Sequence, residues 1–122
     1  MSKYSGRAQS ALTGTILHPI RFVGGSTAVT KEFGLGVTVT YISTGVVDLV
    51  WAENPGTFIG LMGFHFSATT QSGVKGWTVV SGDYSTTTFT LRLNITNSSD
   101  TLADLSSTQH LAVLPAFKTV GV

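Results

Sequence analysis

Cysteine is missing from this sequence altogether. Disulfide staples and thiolate metal sites are therefore excluded, and stability has to come from apolar burial and backbone pairing. Charge is scarce as well. Asp, Glu, Lys and Arg make up 11% of the 122 residues, against about 25% in an ordinary soluble domain. The seven basic residues, Lys3, Arg7, Arg21, Lys31, Lys75, Arg92 and Lys118, are scattered along the chain, and the net charge is only +1. No concentrated phosphate-binding footprint results, so nucleic acid is not an expected partner. Long apolar runs are also lacking. Nothing approaches the roughly 20 residues of a membrane helix. Residues 1–14 hold no apolar stretch that reads as a secretory signal, so no membrane association is expected and the protein is expected to be soluble and made in the cytoplasm. Amphipathic segments of helical length are missing too, which argues against parallel β/α architectures.

What the chain does have is apolar content: 42% of its residues are hydrophobic and the mean hydropathy is +0.30. At this length one core is expected. With so few charges to solvate the outside, part of the surface is expected to lie against another protein chain.

The apolar residues recur with period two. Val37 to Ile42 alternates β-branched and aromatic residues, Ser43-Thr44-Gly45 ends the run, and Val46 to Trp51 reads as its hairpin partner with Val47, Leu49 and Trp51 on one face. Glu53-Asn54-Pro55-Gly56 is a turn. Thr57 to Ala68 follows as a strand with Phe58, Met62, Phe64 and Phe66 assigned to one face and Ile59, Leu61 and His65 to the other. Both faces are expected to be covered, with Gly60 and Gly63 marking a bulge, a bend or the approach of another backbone. Between Thr88 and Ile95 the alternation is clean: Phe89, Leu91, Leu93 and Ile95 face a core while Thr88, Thr90, Arg92 and Asn94 face water. Asn97 to Thr108 is a polar excursion, and His110 to Lys118 is a last strand whose Pro115 suggests a sheet edge or bulge.

About seven or eight short strands separated by turn signals define an all-β fold, a β-sandwich that is jelly-roll-like. Residues 1–20 are expected to form an extended N-terminal arm, with Pro19 in an extended edge segment, and 21–122 a single sandwich domain. Ile16, Leu17, Ile20 and Phe22 are the expected interface residues, apolar enough to be buried once a partner supplies a surface.

The stretch Gly36 to Tyr41, followed by Ser43 to Trp51 and Asn54-Pro55-Gly56-Thr57-Phe58, resembles a hairpin unit of small β-rich virion proteins of tailed bacteriophages. The resemblance covers residues 36–118. It implies a structural role as a capsid decoration, or cement, protein that binds the outer face of the head as a homo-oligomer, commonly a trimer, with the major capsid protein as partner. It also implies location in the virion after assembly in the host cytoplasm; a tail-associated structural protein is the neighbouring alternative.

Catalytic and cofactor chemistry finds little to stand on. His18, His65 and His110 have no metal-ligand spacing. Asp48 and Glu53 lie near one hairpin, as a glycosidase pair would, yet read as a polar strand position and a turn residue. Gly34-Leu35-Gly36 lacks the third glycine and the helix that cradle a phosphate. Asp83, Asp100 and Asp104 are loop aspartates of the kind that bind calcium or cap turns. No cofactor, metal or enzymatic activity is therefore expected. The alternative from another class is a carbohydrate-binding module using Trp51, Trp77, Tyr41 and Tyr84 as a stacking platform, and it requires those rings to be exposed.

Overall fold

The computed structural model describes residues 8–9, 14–67, 74–78, 83–97 and 99–118, with the backbone alone for 8–9, 65–67 and 74–78. Its strands are β1 (Ala8–Gln9), β2 (Thr15–Leu17), β3 (Ile20–Gly25), β4 (Ala28–Phe33), β5 (Val37–Ser43), β6 (Val46–Trp51), β7 (Thr57–Ser67), β8 (Val74–Thr78), β9 (Tyr84–Ser85), β10 (Thr90–Asn97) and β11 (Gln109–Lys118). They form two antiparallel sheets packed as a β-sandwich. In sheet I, β11 is central, with β7 on one side and β2 and β3, end to end, on the other; β4 flanks β3 and β1 flanks β2. Sheet II runs β5-β6-β10, with β8 and β9 both on the far side of β10.

The alternating residues form the core. Val47, Leu49 and Trp51 from β6, Leu91, Leu93 and Ile95 from β10, Ile20 and Phe22 from β3, and Leu111, Val113 and Phe117 from β11 are all buried. Arg92 of β10 faces the other way and is exposed. Phe89 departs from the expected alternation. It sits in the turn before β10 with φ 53° and is half-buried against the core, while its carbonyl accepts a hydrogen bond from the Trp51 backbone N–H at 2.9 Å. The left-handed backbone at that residue breaks the strand period, so the regular core face begins at Leu91.

Both prolines of sheet I lie in its interior. The ladder between β11 and its neighbour is interrupted between Val113, which pairs with β3, and Ala116, which pairs with β2. His18-Pro19 fills that gap, and the His18 backbone N–H donates to the Pro115 carbonyl at 3.0 Å. A proline removes a donor, and here the donors are missing where the ladder itself is broken. The segment 14–20 is thus part of the sheet: Thr15–Leu17 pairs with Ala116 to Lys118, and His18 is fully buried. Residues 1–7 and 10–13 of the expected arm lie outside the described residues.

The excursion after β10 closes one end of the sandwich. Leu105 enters the core, the Ala103 N–H donates to the Ile95 carbonyl at 2.9 Å, and the Asp104 carboxylate accepts from the Gly45 N–H at 2.8 Å and the Tyr41 hydroxyl at 3.1 Å. Gly45 has φ 71°, and a Cβ there would come within 2.7 Å of Ala103 N, so the turn after β5 accepts only glycine comfortably.

Candidate protein-interaction face

The outer face of sheet I takes its character from a bulge in β7. Opposite β11, Leu61 pairs with Pro115 and Gly60 with Ala116, but Phe58 pairs with Phe117, so Ile59 is an extra residue. One inserted residue reverses the alternation. Phe58 and Leu61 both turn inward and pack against the core, while Ile59, Met62 and Phe64 point outward, 57%, 59% and 68% exposed. The sequence pattern assigned Phe58, Met62 and Phe64 to one face, with both faces covered; the bulge separates Phe58 from the other two. The assignments made for His65 and Phe66 concern side chains outside the described residues.

Outward residues of the neighbouring strands continue this surface. Ala112, Leu114 and Ala116 of β11 stand opposite Phe64, Met62 and Gly60. Leu17 lies beyond Ala116, and Phe33 of β4, 58% exposed, pairs with Arg21. The relief is uneven. One hollow of about 340 Å³ lies between Phe33 and Phe64 over Ala112, and another of about 250 Å³ over Gly60 and Ala116. Taking roughly 200 Å² for a phenylalanine, Phe33 and Phe64 expose about 250 Å²; Ile59 and Met62 raise the total to the order of 450 Å². That is more than half of the roughly 800 Å² that one partner brings to a standard interface.

At one end the apolar surface meets a polar cluster. Glu32 Oε1 accepts from Arg21 Nε at 2.8 Å and lies 2.7 Å from His110 Nδ1. The hydrogen bond from Arg21, and then that from His110, hold the Glu32 carboxyl below the ordinary carboxylate range. An apolar centre with a polar rim is the usual anatomy of a protein interface.

Sheet II has a different exterior. Arg92 binds Asp48 with two bonds, Nε to Oδ1 at 2.8 Å and Nη2 to Oδ2 at 3.0 Å, and these bonds raise the guanidinium pKa further. The pair lies in a groove of about 430 Å³ shared with Asp83, Ser85, Thr88 and Thr90.

The residues singled out from sequence are distributed as follows. Ile20 and Phe22, expected at an interface, are 2% and 0% exposed and belong to the chain's own core, because they face sheet II from β3. Ile16 and Leu17 are half-buried in β2, and of the two Leu17 lines the outer face. His18 is in the core and His110 on the outer face of sheet I. Asp48 is engaged by Arg92 and Asp104 by Gly45 and Tyr41, and no cluster of three His, Cys, Asp or Glu suited to a metal occurs among the described residues. Trp51 is 2% exposed and donates through Nε1 to His18 Nδ1 at 3.0 Å, so it offers no ring to a sugar; Tyr84 is half-buried and stacks on Phe58. The Trp77 side chain lies outside the described residues. The outward turn of Ile59, Met62 and Phe64 escaped the sequence pattern. Its one signal was Gly60, next to the register shift, for which a bulge was one of three readings.

Comparison with known proteins finds no matching family model, no similar curated protein and no similar solved structure.

Proposed function

We propose that this protein is a structural assembly subunit that packs the outer face of its sheet I against other protein chains and carries out no chemistry of its own. The observation behind this is the apolar surface of Phe33, Ile59, Met62 and Phe64 on a chain otherwise poor in exposed charge. At about 25 cal/mol per Å², covering about 450 Å² offsets on the order of 10 kcal/mol of unfavourable hydration. That is comparable to the 4–15 kcal/mol (order of magnitude) that association costs, so a partner has to match it with apolar surface of its own. Following the resemblance of the β5–β6 hairpin and the Pro55-Gly56 turn to tailed-phage virion proteins, we take the particular role to be capsid decoration. The protein would bind the outside of the head as a homo-oligomer, with the major capsid protein as the partner.

The test is co-sedimentation with purified phage heads lacking this protein, comparing the native chain with Met62→Glu/Phe64→Glu. Saturable binding by the native chain, lost in the variant while its melting transition stays unchanged, is the expected result. Absence of binding by the native chain, or equal binding by the variant, would overturn the proposal.

A further inference from the structure

The sandwich has several strand edges, and they are not equally protected. An unpaired edge presents free N–H and C=O groups to any other strand, so folded proteins blunt edges with charge, proline, bulges or brevity. In sheet I the β4 edge carries Lys31 and Glu32 and a register shift opposite Arg21 and Phe22. In sheet II, β8 has five residues, one of them Lys75, and a register shift, and β9 has two. The seven-residue β5 is shifted at Tyr41/Ser43, and its Val37 carbonyl is taken by Lys31 Nζ at 2.7 Å. β7 differs from all of these. It is 11 residues long with no Asp, Glu, Lys, Arg or Pro, and among the described residues it pairs on one side only, with β11. Its bulge lies near its start, so residues 60–67 run on as a regular strand.

We propose that the edge of β7 left unpaired among the described residues pairs antiparallel with β7 of a second copy, joining two sheets I into one continuous sheet. A second copy fits the edge because antiparallel pairing of identical strands is generated by a two-fold axis, the commonest symmetry of protein oligomers. The axis stands normal to the sheet, which leaves both outer faces on the same side. Met62 and Phe64 of the two copies then lie next to one another, and the apolar surface becomes one platform of twice the width. Eight residues paired in register make about eight hydrogen bonds over roughly 26 Å. The pairing goes beyond the assembly role proposed above: it concerns the edge of sheet I, whereas docking concerns its face. It also predicts a two-fold contact where the resemblance implies a trimer.

A cysteine-free chain allows spin labels to be placed singly, at Gly60→Cys, Met62→Cys and Phe64→Cys, and the distance between copies to be measured by pulsed electron resonance. In an antiparallel pair each residue of displacement from the axis changes that distance by about 6.6 Å, twice the rise per residue. The three distances are expected to fit a single axis position with that slope. Distances that fit no single axis, or a monomer mass by light scattering at micromolar concentration, would overturn the inference. Phe33→Glu, at the far side of the sheet, separates the two proposals: it should abolish binding to heads and leave the label distances unchanged. Loss of both would place the contact on the face and refute edge pairing.

Discussion

Replacing Gly24 by alanine tests how the end of the sandwich is closed. Gly24 is buried in β3, and the backbone of Leu105 occupies the space where a side chain would be: a Cβ would overlap the Leu105 carbonyl and Leu105 Cβ. The overlap is with backbone, so a slight shift does not relieve it and the loop has to move away. Burial of Leu105 is then lost, about 2 kcal/mol. The bonds from Ala103 N–H to Ile95 and from Gly45 N–H and Tyr41 to Asp104 are lost with it, at about 1 kcal/mol net each, for a total near 5 kcal/mol. Gly24→Ala should therefore lower stability by about 3–5 kcal/mol, the lower figure where part of the loop stays packed. Gly60 is the internal control. A Cβ there would meet nothing within 4 Å, and Gly60→Ala should be neutral or stabilising by up to about 1 kcal/mol. Urea denaturation followed by tryptophan fluorescence reads both. Equal costs at the two positions would refute the closure of the sandwich by Leu105.

Leu91 is fully buried and its neighbour Arg92 exposed, so in the same assay Leu91→Ala should cost about 2–5 kcal/mol, and Arg92→Ala less, about 1–2 kcal/mol, chiefly because it leaves the buried Asp48 carboxylate without its two bonds. Equal effects would mean that the faces of β10 are exchanged. Glu32 predicts a pH dependence: its carboxyl is held below the ordinary 4.5 in the folded chain by Arg21 and His110, so the stability it contributes is complete above that value and disappears as pH falls through the lowered one. The difference between the native chain and Glu32→Gln should therefore shrink to nothing in strong acid, and a difference that grew on acidification would contradict the assignment.

The sandwich was legible because period-two patterning survives wherever a strand has one dry face. β6 and β10 follow it residue by residue, from Val47 to Trp51 and from Leu91 to Ile95. It failed where a local event shifts the count. The inserted Ile59 moves Met62 and Phe64 to the outside, and Gly60 beside it signals a bulge, a bend or the approach of another backbone without saying which. Pro115 argues for an edge or a bulge, and the ladder with β7 does shift beside it, at Ala116/Phe117. The edge reading of Pro19 and Pro115 fails because both face the same interruption inside sheet I, and that coincidence is a tertiary fact. For the same reason Ile20 and Phe22 suggested a surface waiting for a partner, when the partner is sheet II of the same chain. The burial of His18 is tertiary in the same way: Trp51, 33 positions away, donates its indole N–H to the ring, and Phe117 packs edge-on against it.

Scarcity of charge implied an apolar exterior, but not where it lies, and the distribution is what gives it meaning. An antiparallel sheet with one wet face alternates apolar and polar residues, and sheet II largely does so: Thr38 and Thr40 are exposed on β5 and the Asp48–Arg92 pair spans β6 and β10, with Ile42, 43% exposed, the apolar exception. In sheet I the positions equivalent to these are Ile59, Met62, Phe64, Ala112 and Leu114. Of the seven large apolar residues that are exposed among the described ones, Phe33, Ile59, Met62 and Phe64 share this face, while Leu35, Ile42 and Leu102 lie elsewhere. The grouping of four of them on one face, with the Arg21–Glu32–His110 cluster at its end and the uncharged β7 edge along its side, is the ground on which we propose that this face packs against another chain.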